Sequence, residues 1–171
     1  MKAEEFSKNI LSIDPDIRFA GIMDKSGYLY AGGIREGLEG YLHGKNNETS
    51  FAQSAYIVGL RKIFSSELGN LRYIVYNYDK VKLFSLPVGE NILVFSTTSS
   101  VNTEKLLYSV TEYVKSVYDK LTLYPPANII NNEKKEVLKN LHESGIAEEM
   151  IAEQLDLNLN TVRTLIQELR I

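Results

Sequence analysis

The apolar positions of this chain change their period several times, and each change marks an element. Phe6, Ile10 and Ile13 recur at helical spacing and predict a short first helix. In "IRFAGIMDKSGYLYAGGI" two β-type runs flank Asp24-Lys25-Ser26-Gly27, whose glycine supplies the positive φ of a tight hairpin turn. A polar stretch, residues 35–50, leads into "SFAQSAYIVGLRKIFSSEL". There Ala52, Ala55, Tyr56, Gly59, Leu60 and Ile63 form one helical stripe over residues 50–67, with Thr49 or Ser50 placed to cap it. Three strands follow at residues 71–78, 81–87 and 91–98, joined at "YDK" and "GEN". The last carries the unbroken run Ile92-Leu93-Val94-Phe95, which suits a central strand buried on both faces. A long helix at 103–121 closes the region, capped by Asn102 and apolar along Leu106, Leu107, Val110, Tyr113, Val114, Val117 and Leu121.

The order α-β-β-α-β-β-β-α predicts an α+β fold, a five-stranded antiparallel sheet with helices packed against it. In the strand at 71–78, Tyr73 and Val75 face one side while Ile74 and Tyr76 face the other, so both faces call for burial. An apolar strand at a sheet edge invites pairing with another chain. Tyr73, Ile74 and Tyr76, with Tyr56 and Leu60 of the preceding helix, are therefore the expected homodimer interface.

At "TLYPPANIINN", residues 122–132, Pro125-Pro126 cannot continue a helix and favours an extended connection. This predicts a domain at 1–121, a linker at 122–132 and a second domain at 133–171. Charge changes at the same place: from Ala127 onward there are 5 Lys+Arg and 8 Asp+Glu, which carries the whole net charge of −3. The second domain reads as three helices. The first, 131–145, turns Val137, Leu138 and Leu141 inward and stops at Gly145. The second, 148–155, buries Ile151 and Leu155 and puts Ala152 at a tight crossing. The third runs from Asn160 as N-cap to Arg170 and buries Val162, Leu165, Ile166 and Leu169.

The opening "ILSIDPDIRFAGIMDKSGYLYAGG" and the closing "ILVFSTTSSVNTEKLLYSV" resemble the roadblock (dynein-light-chain) family over about two thirds of the chain. PAS-like, GAF-like and profilin-like folds share much of this pattern. The resemblance implies a non-enzymatic scaffold, usually a homodimer, often working beside small Ras-like GTPases or in regulatory proteins. The three-helix pattern resembles the helix-turn-helix superfamily, with Asp156 at the turn position where glycine is usual. That resemblance implies a DNA-binding transcriptional regulator as the leading expectation, and a protein-docking scaffold as the alternative. In a major groove, Asn160, Arg163, Thr164 and Gln167 would share the exposed face of the third helix and read bases. Lys134, Lys135, Lys139 and Arg170 would meet phosphates, opposed by Glu143, Glu148, Glu149 and Glu153.

Composition removes other classes. With no cysteine and two histidines far apart, His43 and His142, neither disulfides nor a thiolate or histidine metal site is expected. No paired carboxylates or nucleophile beside a base can be discerned, so no enzyme and no cofactor are expected. The "STTSSVNT" cluster is explained as a strand end and helix cap. Residues 35–50 are the candidate ligand site of the first domain: the stretch is long, and Leu38, Tyr41 and Leu42 are spaced for one amphipathic turn. A phosphate-binding reading fails there, since Gly44-Lys45 lacks the glycine and Ser/Thr that a P-loop needs. No apolar run suggests a membrane span or signal peptide, which makes the cytoplasm the default compartment.

Overall fold

The computed structural model describes residues 1–123, 132–155 and 157–170. The linker prolines and Asp156, and with them the expected turn geometry, lie outside the described residues. The chain divides into two compact units, Met1–Leu123 and Tyr124–Ile171.

The first unit is α+β. In chain order it contains α1 (Ala3–Ile13), β1 (Ile17–Met23), β2 (Leu29–Ile34), α2 (Gly44–Lys62), α3 (Ser65–Leu68), β3 (Ile74–Asn77), β4 (Val81–Val88), β5 (Asn91–Thr98) and α4 (Thr103–Val117). The five strands form one antiparallel sheet in the order β2-β1-β5-β4-β3. β5 is central, as its unbroken apolar run requires, and Ile92, Leu93, Val94 and Phe95 are all buried.

Register assigns each side chain to a face. Leu93 and Phe95 lie with Ile22, Ala20, Leu86 and Phe84 on one side, where the Phe84 and Phe95 rings stack 4.5 Å apart. α1 lies over β1 and β2 and touches α4, with Phe6 stacked on Tyr113. Ile92 and Val94 lie with Met23 on the opposite side and share a cluster with Ala55 and Val58 of α2. The sheet is thus sandwiched between α1/α4 and α2.

Two local features hold this arrangement. At the hairpin, Asp24 Oδ1 accepts from the Ser26 and Tyr28 amides at 2.8 and 3.0 Å. Gly27 there has φ +86°, and a Cβ on it would sit 2.6 Å from the Cα of Ala52, so the turn packs directly on the α2 backbone. The second is Arg35, whose guanidinium donates to the carbonyls of Ile17 (2.7 Å), Asp14 (2.8 Å) and Leu11. It ties the carbonyl end of α1 to the start of β1 through charge-assisted bonds.

Several boundaries differ from expectation. α2 begins at Gly44, six residues before the expected start, and neither Thr49 nor Ser50 caps it; His43 occupies the N-cap position without a side-chain bond. The helix ends at Lys62 and gives way to α3, so residues 50–67 are two helices. Its buried stripe is also rotated, with Ala55 and Val58 inward and Tyr56, Leu60 and Ile63 exposed. Apolar residues occupy both sides of this helix, and periodicity alone does not choose between them. No helical turn forms around Leu38, Tyr41 and Leu42. β3 is four residues long, shorter than the apolar run 71–78, because only Ile74–Asn77 pair with β4. α4 keeps its Asn102 cap, which accepts from the Lys105 amide at 3.0 Å, but ends at Val117 and continues as a 3-10 turn, Tyr118–Lys120.

The second unit contains α5 (Asn132–Glu143), α6 (Glu148–Gln154) and α7 (Leu159–Leu169). Leu138, Ile151, Ala152, Leu155, Val162 and Leu165 form its core, with Leu141, Ile166 and Leu169 packed against it. Val137, expected inward, is exposed. The cap of α7 is Asn158, whose side chain accepts from the Asn160 amide at 2.8 Å; Asn160 itself lies inside the first turn. Both asparagines suit a cap by residue type, and the helix starts two residues earlier than the sequence suggests.

Candidate interaction surfaces

The interior of the first unit uses one stripe of α2, and the other is left to solvent. Tyr56, Leu60 and Ile63, at i, i+4 and i+7, stand on its outer side, with Ile63 68% exposed. Phe64 and Leu68 continue this apolar run through α3, Leu68 at 82% exposure, and Tyr73 ends it beside β3. β3 is an edge strand, hydrogen-bonded to β4 on one side only. Ile74 packs into the α2 cluster and serves the protein's own core. Tyr76, on the same face, encloses its hydroxyl without a hydrogen-bond partner among the described residues. Of the five expected interface residues, Tyr56, Leu60 and Tyr73 are therefore exposed, Tyr76 is half-buried with an unsatisfied hydroxyl, and Ile74 is inward. Phe64 and Leu68 were not anticipated. Their signal was present as apolar residues beyond the end of a stripe, but it could be read only once the stripe's direction was known.

The three-helix unit presents a different surface. Arg163 on α7 is held by the first turn of α6: its Nε donates to Glu148 at 2.8 Å and its Nη2 lies 3.6 Å from Glu149. The Glu148 hydrogen bond raises its pKa further and keeps the guanidinium charged. Thr164 turns its hydroxyl back onto the Asn160 carbonyl at 2.9 Å. The side chains of Asn160 and Gln167 are exposed and make no hydrogen bond among the described residues. Of the expected phosphate contacts, Lys134 donates to the Leu155 carbonyl at 3.0 Å and Lys139 lies 3.9 Å from Glu143. Arg170 forms the C-cap of α7 in the left-handed conformation. Two of the four cations are thus engaged within the unit, and the side chain best suited to grip a guanine is held by two carboxylates. Met150 is 60% exposed on α6, the helix that also carries Glu148, Glu149 and Glu153, so the exposed part of this helix is acidic with one large apolar side chain.

Among the described residues no group of His, Cys, Asp and Glu is placed to hold a metal. Nor is any helix among them long and apolar enough to cross a membrane.

Comparison with known proteins defines the fold. A roadblock/LC7 domain from Streptomyces avermitilis superposes with a TM-score of 0.54 over 70% of this chain and 98% of its own, at 16% identity. The gliding protein MglB from Thermus thermophilus superposes with a TM-score of 0.55 over 68% of this chain and 86% of its own, at 15% identity. A further MglB structure, described as having a tetrameric arrangement, gives 0.55 over 68% and 85%, at 16% identity. The first unit therefore has the roadblock fold. No curated protein matches the chain in sequence. Residues 1–125 match a family described as "Family of unknown function (DUF6659)", and the chain belongs to that family.

Proposed function

We propose that this protein is a non-enzymatic interaction scaffold that works as a homodimer. Its roadblock-like unit would pair through the outer side of α2 and the free edge of β3, and its three-helix unit would dock a protein. The observation that carries this reading is the apolar run Tyr56, Leu60, Ile63, Phe64, Leu68 and Tyr73 beside an unpaired strand edge. Such a surface is costly to leave in water. Pairing two copies across β3 would extend the sheet and cover these side chains. The neighbouring MglB structure with its tetrameric arrangement supports self-association as a property of similar folds. A small GTPase is the partner class suggested by the roadblock likeness.

For the three-helix unit, the acidic exposed part of α6 and the pairing of Arg163 with Glu148 and Glu149 favour a basic protein surface over duplex DNA. DNA reading would require Arg163 to leave both carboxylates, and few cations remain to hold phosphate. The test has two arms. In size-exclusion light scattering, wild type is expected at the mass of two chains and Tyr56→Asp or Ile63→Asp at the mass of one, with unchanged circular dichroism. A monomeric wild type would sink the pairing. In the second arm, fluorescence polarisation with random duplex DNA at low salt is expected to show no binding. Saturable binding that weakens steeply with salt would return the three-helix unit to the DNA-reading class.

A further inference from the structure

Between the sheet and the N-terminal half of α2 lies a cavity of about 600 Å³. It sits on the same side of the sheet as the α2 cluster, beyond the point where Ala55 and Val58 close that helix onto Met23 and Ile92. Phe19, Leu83 and Val94 line it from the strands and Phe51 from α2, Phe51 with its ring 5.7 Å from that of Phe19. Tyr41 and Leu42 of the β2–α2 connection border it at one end, and residues 78–81 of the β3–β4 turn at the other. This is the polar stretch that the sequence marks as unusually long for a compact domain.

Four serines are distributed around this cavity. Ser50 and Ser54 reach it from successive turns of α2, and Ser85 and Ser96 from β4 and β5. None of their side chains makes a hydrogen bond among the described residues; Ser85 is 2% exposed, and Ser50, Ser54 and Ser96 are partly exposed. Each hydroxyl can both donate and accept, so four of them around one largely apolar space offer a guest several points of attachment.

The charges lie at the rim and oppose one another. Arg18 stacks over the Tyr41 ring, 4.7 Å from its centroid, and donates to the Glu39 carbonyl at 3.1 Å, which clasps the β2–α2 connection in place. Asp79 and Lys80 adjoin each other at the far end. No net charge inside offsets that of an ionic guest, and transferring an unpaired ion into such a space is unfavourable. We propose that this cavity binds an uncharged small molecule with an apolar body and a few hydroxyl or carbonyl groups, held by Ser50, Ser54, Ser85 and Ser96. Its volume falls within the range of ligand pockets for drug-sized molecules. Ser50 and Ser54 lie away from the outer side of α2 proposed for pairing, so guest and partner can occupy one helix together.

The test uses the full chain and N-phenyl-1-naphthylamine, an uncharged dye that fluoresces on leaving water. Saturable binding at one site per chain with a blue-shifted emission is expected. Dodecanol should displace the dye at a concentration at least tenfold lower than dodecanoate at neutral pH. Ser54→Phe and Ser85→Leu, which fill the space from opposite walls, should each weaken dye binding at least tenfold, while Tyr108→Ser, at an exposed position of α4 across the sheet, leaves it unchanged. Should one filled variant fail to fold by circular dichroism, the other decides, and the alcohol against acid comparison needs no variant. Non-saturating fluorescence, equal displacement by dodecanoate, or binding lost in Tyr108→Ser but kept in the filled variants would overturn the proposal.

Discussion

The two sides of α2 carry similar apolar residues and meet opposite fates. Ala55 and Val58 are almost fully enclosed against Met23, Ile92 and Val94, whereas Tyr56 on the same helix and Ile63 at its C-cap are two thirds exposed. Burial here follows from what the sheet places opposite, since the apolar residues of the helix are spread around it and not gathered on one side. Exposed apolar side chains grouped on one surface mark a place that a partner can cover. The difference teaches that the inner stripe belongs to the fold and the outer stripe to assembly.

The sharpest way to break that comparison is to put the same charge on each side. Val58→Asp places an unpaired carboxylate in the α2 cluster and should destabilise the first unit by about 4 kcal/mol or more, seen as loss of the cooperative melt. Tyr56→Asp should leave that melt nearly unchanged once dissociation is allowed for. Equal losses at the two positions would mean that the outer stripe is also part of the monomer's core.

The same helix shows what could be read in advance. The strand pattern, the Gly27 turn, the central place of β5 and the Asn102 cap all follow from local rules, because alternation, a positive φ and a cap depend on a few adjacent residues. The direction of α2 depends on Met23, Ile92 and Val94, strands far away in sequence. For a related reason, the partners of Arg35 and Arg163 were not legible. Arg35 meets carbonyls 18 to 24 positions away, and Arg163 meets Glu148 at a separation of 15. Charge and residue type announced two cations, but only the fold shows that one fastens α1 and the other is held by α6. In the three-helix unit, Leu138, Ile151 and Leu165 were plain from helical spacing, while Val137 lay too near the edge of its stripe to be assigned.

A second comparison sets the large unit against the small one. The first spreads its interior over two sides of a sheet, whereas the second gathers six buried apolar residues, among those described, around one centre. Small cores leave little margin. Leu138→Ala removes the one fully buried side chain that α5 contributes to the described core, and should cost about 3 kcal/mol. Limited proteolysis should then open cleavage sites within residues 132–170 while residues 1–123 stay resistant. Protection of the small unit in this variant would show that its helices draw stability from elsewhere.

The smallest effect concerns charge at the surface of the first unit. Lys25 Nζ lies 2.5 Å from Glu90, joining the β1–β2 turn to the β4–β5 turn, and both side chains are at least half exposed. The hydrogen bond from Lys25, then its positive charge, lowers the Glu90 pKa from its ordinary 4.5. A carboxyl whose pKa falls on folding contributes stability above its unfolded value, and that contribution is lost as pH drops through the lowered folded value. Glu90→Gln should therefore cost no more than about 0.5 kcal/mol at pH 7, because water and salt screen so exposed a pair. The cost should fade as pH falls below 4.5 and shrink at high salt. Urea melts of the two proteins at pH 7 and pH 3 measure it. A difference that persists at pH 3 would mean that Glu90 acts through packing at the turn.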